Sequence, residues 1–528
     1  MKVAFAPLTK ICGSGKSWLL TGFLIMLIAN SAITTNYAAD DGDGPSARAD
    51  HTTRDQWERI EVSGKVAGYG RIREHTLNRG NEKFRQIESV MRMRMKRLGE
   101  PVETAILVQA TFDRQDRMVD FRTETSLGGQ AMISTGKVRG KRLEITTELG
   151  TDLGGKVVTD QIDWSDQTHG LFHERRLLEA NPMLPGEQRT FAALIPIFNR
   201  VAKTTLKASD WSRTDVLGTS RELLPIASHT MLAGQQLSAT LWMDRDGQII
   251  KTEEPTLGQT VTRTTREKAL AGKRGAAPDL ITGTVIPLKF AAGLPSKPQE
   301  LRYRVRTSRT LSKPPFPRTS RQICSSSEDG RVWDLRVNAF EFENEEPSRD
   351  IPVERPTPRD QEPHRFVDQN DPAIRKLAGT VGSKESESAL ANALARQVSL
   401  WISRKDFSTV LATASEVVRT RSGDCTEHAV LLAAMAKARG LPARVVVGLV
   451  YVPSLGGFAY HMWNQIWCDG AWRFFDATRP DGRCGAGHIK VADDPLADQN
   501  GLTIFLPVLR LMGGTEIELV ESVPDANR

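Results

Sequence analysis

The sequence predicts an α+β protein in two unequal parts: a large antiparallel β-rich region, residues 55–345, and a smaller mixed domain, residues 373–528. Three observations carry this. Short strand-like runs joined by polar turns dominate the first 345 residues. A linker at 346–372 then gathers Pro347, Pro352, Pro356, Pro358, Pro363 and Pro372 among many charges, with no apolar face to bury. Beyond it, apolar residues recur at helical spacing and give way to three strand-like runs.

A chain of 528 residues is long enough for about three domains. With 39% hydrophobic and 26% charged residues, it is neither a polytopic membrane protein nor wholly disordered. Its net charge of +7 suits an anionic surface, but no nucleic-acid motif accompanies it, and no nucleic-acid partner is expected.

Residues 1–39 hold Lys2, Lys10 and Lys16 and no acidic residue, then an apolar run, Trp18–Ala29, and the small pair Ala38-Ala39. This is the pattern of an export signal peptide, with an uncleaved N-terminal anchor as the alternative. A periplasmic or extracellular location is expected. Cys12 precedes the apolar run, so a lipid-modified cysteine is not expected. Residues 40–54 are polar and read as a disordered leader.

Within the β-rich region two hairpins look alike. Thr104–Phe112 and Met118–Thr125 flank Arg114–Arg117; Leu237–Met243 and Gln248–Glu254 flank Asp244–Gly247. Ala-Thr-Phe-Asp-Arg-Gln-Asp at 110–116 stands beside Ala-Thr-Leu-Trp-Met-Asp-Arg-Asp at 239–246, a hint of a duplicated unit. Between them Phe191–Val201 reads as a short helix. A large curved antiparallel sheet suits this pattern. It serves as a packing platform or binds a partner that the residues do not name.

In the C-terminal domain, Ser388–Trp401 and Asp406–Arg419 each carry one apolar helical stripe, which belongs to a core. Chemistry concentrates between Gly423 and Thr478. Gly423-Asp424-Cys425-Thr426-Glu427-His428 opens a helix that ends at Gly440, with Pro442 beyond. Cys425 thus falls in the first turn, where the partial positive charge of a helix N-terminus favours thiolate. A nucleophile wants that placement; a buried structural cysteine is the plainer alternative.

Strands are expected at Arg444–Val452, Ala459–Cys468 and Ala471–Asp476, the last two joined by Asp469-Gly470, a strong two-residue hairpin signal. That turn pairs Cys468 with Ala471. His461, Trp463, Gln465 and Trp467 then share a face with Trp472, Phe474, Asp476 and Thr478. His461 and Asp476 become diagonal neighbours. Asp476 can fix the His461 tautomer, leaving the other ring nitrogen for Cys425.

The order Cys, His, Asp resembles the transglutaminase-like superfamily. The motifs are Gly-Asp-Cys before a helix, His461-x-Trp463 on one strand, and Gly470-x-Trp472-x-x-x-Asp476-x-Thr478 on the next. Arg439-Gly-Leu-Pro-Ala-Arg444 and Gly487-His488-Ile489-Lys490 are similar to segments of its bacterial members. The resemblance covers about residues 373–515. It implies a papain-like transglutaminase core at the C-terminus, with Cys425 as nucleophile, His461 as general base and acid, and Asp476 as the orienter of His461. It also implies a thioester step on a peptide or protein amide, as a cysteine peptidase, amidase or acyltransferase. The Cys425 backbone N–H would form part of the oxyanion hole; Trp401 is a candidate second donor, but reads better as core. Hydrolysis is preferred over transamidation, because no amine-acceptor or calcium site is readable. A non-catalytic envelope scaffold is the alternative.

No cofactor and no metal site are expected. His428 with His461 lacks structural zinc spacing, and Asp493, Asp494 and Asp498 read as a solvated loop without EF-hand spacing. Beyond the signal segment the cysteines are Cys324, Cys425, Cys468 and Cys484, with Cys468–Cys484 the most local candidate bridge.

Overall fold

The computed structural model describes residues 51–524 apart from 98–99, 128–129, 150–156, 272–276, 280–283, 290–297, 312, 340–353, 406–410 and 498–501. The expected signal segment and residues 40–50 of the expected leader lie outside these. The rest of that leader, His51–Arg54, is not irregular: it begins the first strand, His51–Val62, and pairs with residues 74–76. Among the described residues no helix is long and apolar enough to cross a membrane.

Sixteen described strands between His51 and Thr264 form one sheet. From the first strand it meanders outward to Val157–Asp163. On its other side the first strand pairs with Gln259–Thr264, and the sheet runs back to Thr168–His169. The helix His173–Ala180 shows how strongly this sheet curls. Glu174 accepts from Ser228 Oγ at 2.9 Å, while Arg176 pairs with Asp116 in the turn after Glu100–Phe112. The strands beside those partners stand seven spacings apart along the sheet, about 33 Å if it were flat. An eight-residue helix is only about 12 Å long. Farther out, Asn199 Nδ2 donates to Ser134 Oγ at 3.0 Å and Thr147 Oγ1 at 3.3 Å, tying the two wings together.

The two similar hairpins share one turn. Asp113 Oδ1 accepts from the backbone N–H of Gln115 and Arg117, each at 2.9 Å. Asp244 Oδ1 accepts from those of Asp246 at 3.1 Å and Gln248 at 2.9 Å. The fourth turn residue has positive φ in both, Asp116 at 65° and Gly247 at 76°, and the ladder shifts register beside each turn.

The expected helix at Phe191–Val201 does not form. Gln188–Ile195 and Arg200–Ala208 are antiparallel strands. Pro196 cannot continue a helical ladder, and positive φ at Ile197 and Asn199 turns the chain back.

The second sheet has nine described strands in the order Gln322–Glu328, Val332–Asn338, Pro298–Arg306, Glu516–Pro524, Ile286–Lys289, Gly457–Cys468, Ala443–Val452, His488–Asp494. Ala471–Phe475 pairs with Gly457–Cys468 off this path. Strands between 286 and 338, grouped from sequence with the N-terminal β region, therefore share backbone hydrogen bonds with the C-terminal domain.

The Pro-rich stretch also departs from expectation. Residues 346–353 lie outside the described residues, but 354–372 pack on the C-terminal domain. Asp360 is 1% exposed and accepts from Arg444 Nε at 2.6 Å and Nη2 at 3.1 Å. Burial pushes its carboxyl up, but the Arg444 and Thr357 donors hold it below the usual range. Phe366 and Val367 are buried.

Of the expected helices, Glu387–Trp401 forms as read. The next begins only at Ala414, capped by Thr413, and ends at Thr420; its expected start at 406–410 lies outside the described residues. Ala412 is not helical because its N–H donates to Glu427 Oε1 at 3.0 Å.

Candidate active site

The helix Cys425–Ala438 starts from a local lock. Asp424 Oδ1 accepts from the Thr426 N–H at 2.8 Å, and the Asp424 N–H donates to Glu427 Oε2 at 2.9 Å, a complete capping box. Burial, and then the charge of Asp424, push the Glu427 carboxyl well above its usual range. Gly423 has φ 154°, and a Cβ there would sit 2.3 Å from that of Glu427. Gly-Asp-Cys-Thr-Glu is thus one unit, and it seats Cys425 at the first helical position, fully buried. Asn464 Nδ2 donates to Ala429 O at 2.9 Å, fastening this helix to the His461 strand.

That strand runs Gly457–Cys468, turns at Asp469-Gly470, and pairs with Ala471–Phe475. The register is the expected one: Cys468 faces Ala471, Gln465 faces Phe474, and Trp467 faces Trp472, their rings 5.7 Å apart. His461 Nε2 lies 3.0 Å from Asp476 Oδ2, and both side chains are buried.

Asp476 is held on every side. Oδ1 accepts from the Thr478 N–H at 2.9 Å and Oγ1 at 2.6 Å. Oδ2 takes His461 and also His488, whose Nε2 is 3.1 Å away. Burial alone would raise this carboxyl; the two imidazoles hold it well below its usual range. A carboxylate can only accept, so His461 donates through Nε2. Its Nδ1 is the ring nitrogen turned from Asp476.

The Cys425 helix and this pair are close enough to interact. His428, one turn along from Cys425, is held below its ordinary range by burial, and the charges of Asp476 and His461 both act on it. His428 Nδ1 lies 2.5 Å from the Asp424 carbonyl.

His488 escaped the sequence reading as a site residue. It opens the strand His488–Asp494, which flanks Ala443–Val452 on the side away from His461. Its only sequence signal was the Gly-His-Ile-Lys segment itself. Trp463 joins the two histidines, 5.8 Å from the His461 ring and 5.4 Å edge-on to His488. Gly448 makes room for that indole: a Cβ there would meet Trp463 at 2.6 Å and the Ile489 carbonyl oxygen at 2.1 Å.

His461, Asp476 and His488 offer ligand atoms within 4.8 Å of one another. The Gly485 N–H donates to His488 Nδ1 at 3.2 Å. Nε2 of His488 therefore carries its proton, and the trio reads as a hydrogen-bonded set. Trp401, the candidate oxyanion donor, gives its indole N–H to the Val418 carbonyl at 3.0 Å and is part of the core. Asp493 and Asp494 are not a loop but strand residues, Asp493 pairing with Arg444 and Lys490.

The candidate bridge is not made. Among the described residues Cys324, Cys425, Cys468 and Cys484 are all thiols. Cys484 packs with Trp463 and Val446, whereas Cys468 belongs to the main core, on the other face of its strand.

Residues 375–477 match the family model described as the transglutaminase-like superfamily. Among solved structures, the chain is similar to a protein of Cytophaga hutchinsonii provisionally described as a cysteine protease. The two share 16% identity and a TM-score of 0.26, over 43% of this chain and 90% of that one. A protein of Parabacteroides distasonis, provisionally described as a protease, shares 11% identity and a TM-score of 0.17, over 66% of this chain and 64% of that one. No curated protein matches. The segment that holds Cys425, His461 and Asp476 is therefore a transglutaminase-like domain.

Proposed function

We propose that this chain is an exported thiol enzyme that cleaves peptide or protein amides through Cys425, His461 and Asp476. The observation that carries this reading is the buried His461–Asp476 hydrogen bond, set on a carboxylate kept ionised by its donors. It favours one imidazole tautomer and stabilises the imidazolium that a base must become. The placement of Cys425 at the start of a capped helix supports the same reading, because negative charge is stabilised there. Export is supported by the basic and then apolar N-terminal segment.

The chemistry follows from these roles. His461 takes the Cys425 thiol proton, and the thiolate attacks the amide carbonyl carbon. The tetrahedral oxyanion forms beside the helix start. The C–N bond breaks, the leaving amine takes the proton from His461, and a thioester remains on Cys425. Water then gives a proton to His461 and attacks the thioester, and the acid leaves as the thiol is restored. An amine in place of water would give transamidation.

The test is to incubate the full chain with a labelled peptide mixture and follow both new termini and the intact mass. The wild type should cleave and carry an acyl adduct on Cys425; Cys425→Ala should do neither. Equal cleavage by Cys425→Ala, or cleavage with no adduct under rapid quench, overturns the thioester reading.

A further inference from the structure

We infer that His488 is a positioning residue for the proposed pair: by donating to the same Asp476 oxygen as His461, it fixes the carboxylate that orients the base. The inference rests on the Cys425–His461–Asp476 reading and extends it to a residue beyond the matched segment, which ends at Ala477.

The geometry is specific. Oδ2 of Asp476 receives His461 at 3.0 Å and His488 at 3.1 Å, while Oδ1 is gripped by Thr478. Thr478 alone would leave the carboxylate able to swing about its bond to Cβ. His488 removes that freedom on the Oδ2 side, and it is itself fixed at its far end. The Gly485 N–H occupies Nδ1, and the Trp463 ring stands edge-on. Pairing places it well, because His461 faces Gly448 and His488 faces Val450 on the strand between them.

The choice of a neutral donor matters as well. Burial, with His461 and Arg479 nearby, keeps His488 below its ordinary range even beside Asp476. Among the described residues, His428 and Arg479 also act around this carboxylate. A neutral imidazole N–H steadies the carboxylate yet leaves its negative charge for His461. A guanidinium in its place would compete for that charge.

The experiment reads Cys425 alkylation by iodoacetamide in the full chain, and so needs no substrate. Wild type, His488→Gln, His488→Phe and His461→Ala are compared at one pH. Nitrogen-15 spectra of the wild-type histidines are recorded alongside. The Phe variant keeps the ring against Trp463 but loses the donor; it should label about 10–100-fold more slowly, the fold-change of one hydrogen bond to a charged group. Gln supplies an N–H again and should recover most of the rate. In the wild type, His488 should show the Nε2–H tautomer unchanged from about pH 5 to 8, a result that needs no variant to fold. A wild-type rate in His488→Phe overturns the inference, as does an Nδ1–H tautomer, or a Gln variant no faster than Phe. A wild-type rate in His461→Ala removes the triad reading and this inference with it. Slow His461→Ala beside wild-type His488→Phe removes only the role of His488.

Discussion

Glu58 in the N-terminal sheet and Asp476 in the C-terminal domain are both buried carboxylates, 8% and 2% exposed, yet burial ends differently for them. Glu58 lies beneath the helix His173–Ala180 and accepts from Arg175 Nη2 at 3.3 Å; desolvation wins over Arg175 and Arg263, and its carboxyl is pushed up. Asp476 accepts four hydrogen bonds from three residues, and its carboxyl is held well below the usual range. The difference lies in the donors and not in the depth. Where a sheet only needs to close its core, a carboxylate is tolerated. Where a charge must stay on a carboxylate, the fold surrounds it with N–H and O–H groups.

Four substitutions break or sharpen that contrast. Asp476→Asn should be the most damaging, losing about 3–5 kcal/mol because buried donors built around a charge are left mismatched. Urea unfolding at pH 7 checks it. A depressed carboxyl stabilises the fold above its unfolded value of about 3.9 and loses that contribution as pH falls further. The gap between Asp476→Asn and wild type should therefore hold from pH 7 to about 4 and shrink below.

Asp360→Ala comes next. It strips one of the carboxylates paired with Arg444, which is 8% exposed and keeps Asp493 at 3.0 Å, and a loss of about 3 kcal/mol is expected. Protease cutting within 354–372 should rise with it if this segment is held by that pair. Gly448→Ala should cost about 1–3 kcal/mol by overpacking against Trp463 and Ile489, read as a lowered melting temperature.

The smallest effect is expected at Glu58→Gln, within about 1 kcal/mol of wild type at pH 7. Here the sign reverses. A raised carboxyl stabilises the fold below its unfolded value of about 4.3 and loses that as pH rises through the folded one. Glu58→Gln should gain on the wild type as pH rises above about 4, where Asp476→Asn does not. Parallel pH profiles for the two variants would contradict the contrast.

What was readable in the sequence divides along the same line. Local geometry was legible. Asp469-Gly470 sets the register that puts His461 beside Asp476, and Gly-Asp-Cys-Thr-Glu sets the helix start that seats Cys425. Both are decided within a few residues. The rest depends on partners far along the chain. His488 reaches Asp476 only through pairing of a strand with Ala443–Val452, and Pro298–Arg306 meets Glu516–Pro524 across more than 200 residues. Phe191–Val201 reads as a helix only while the pairing of Gln188–Ile195 with Arg200–Ala208, which claims its backbone, is out of view. The Pro-rich stretch reads as an unpacked linker because Arg444, the partner of Asp360, lies 84 positions on.

The most direct test of the central claim, that His461 held by Asp476 activates Cys425, is the pH dependence of Cys425 alkylation in wild type and His461→Ala, read by mass spectrometry. The account predicts fast labelling in the wild type well below the ordinary thiol value of about 8.5, lost in the variant. The same slow labelling with an ordinary midpoint in both proteins would contradict it.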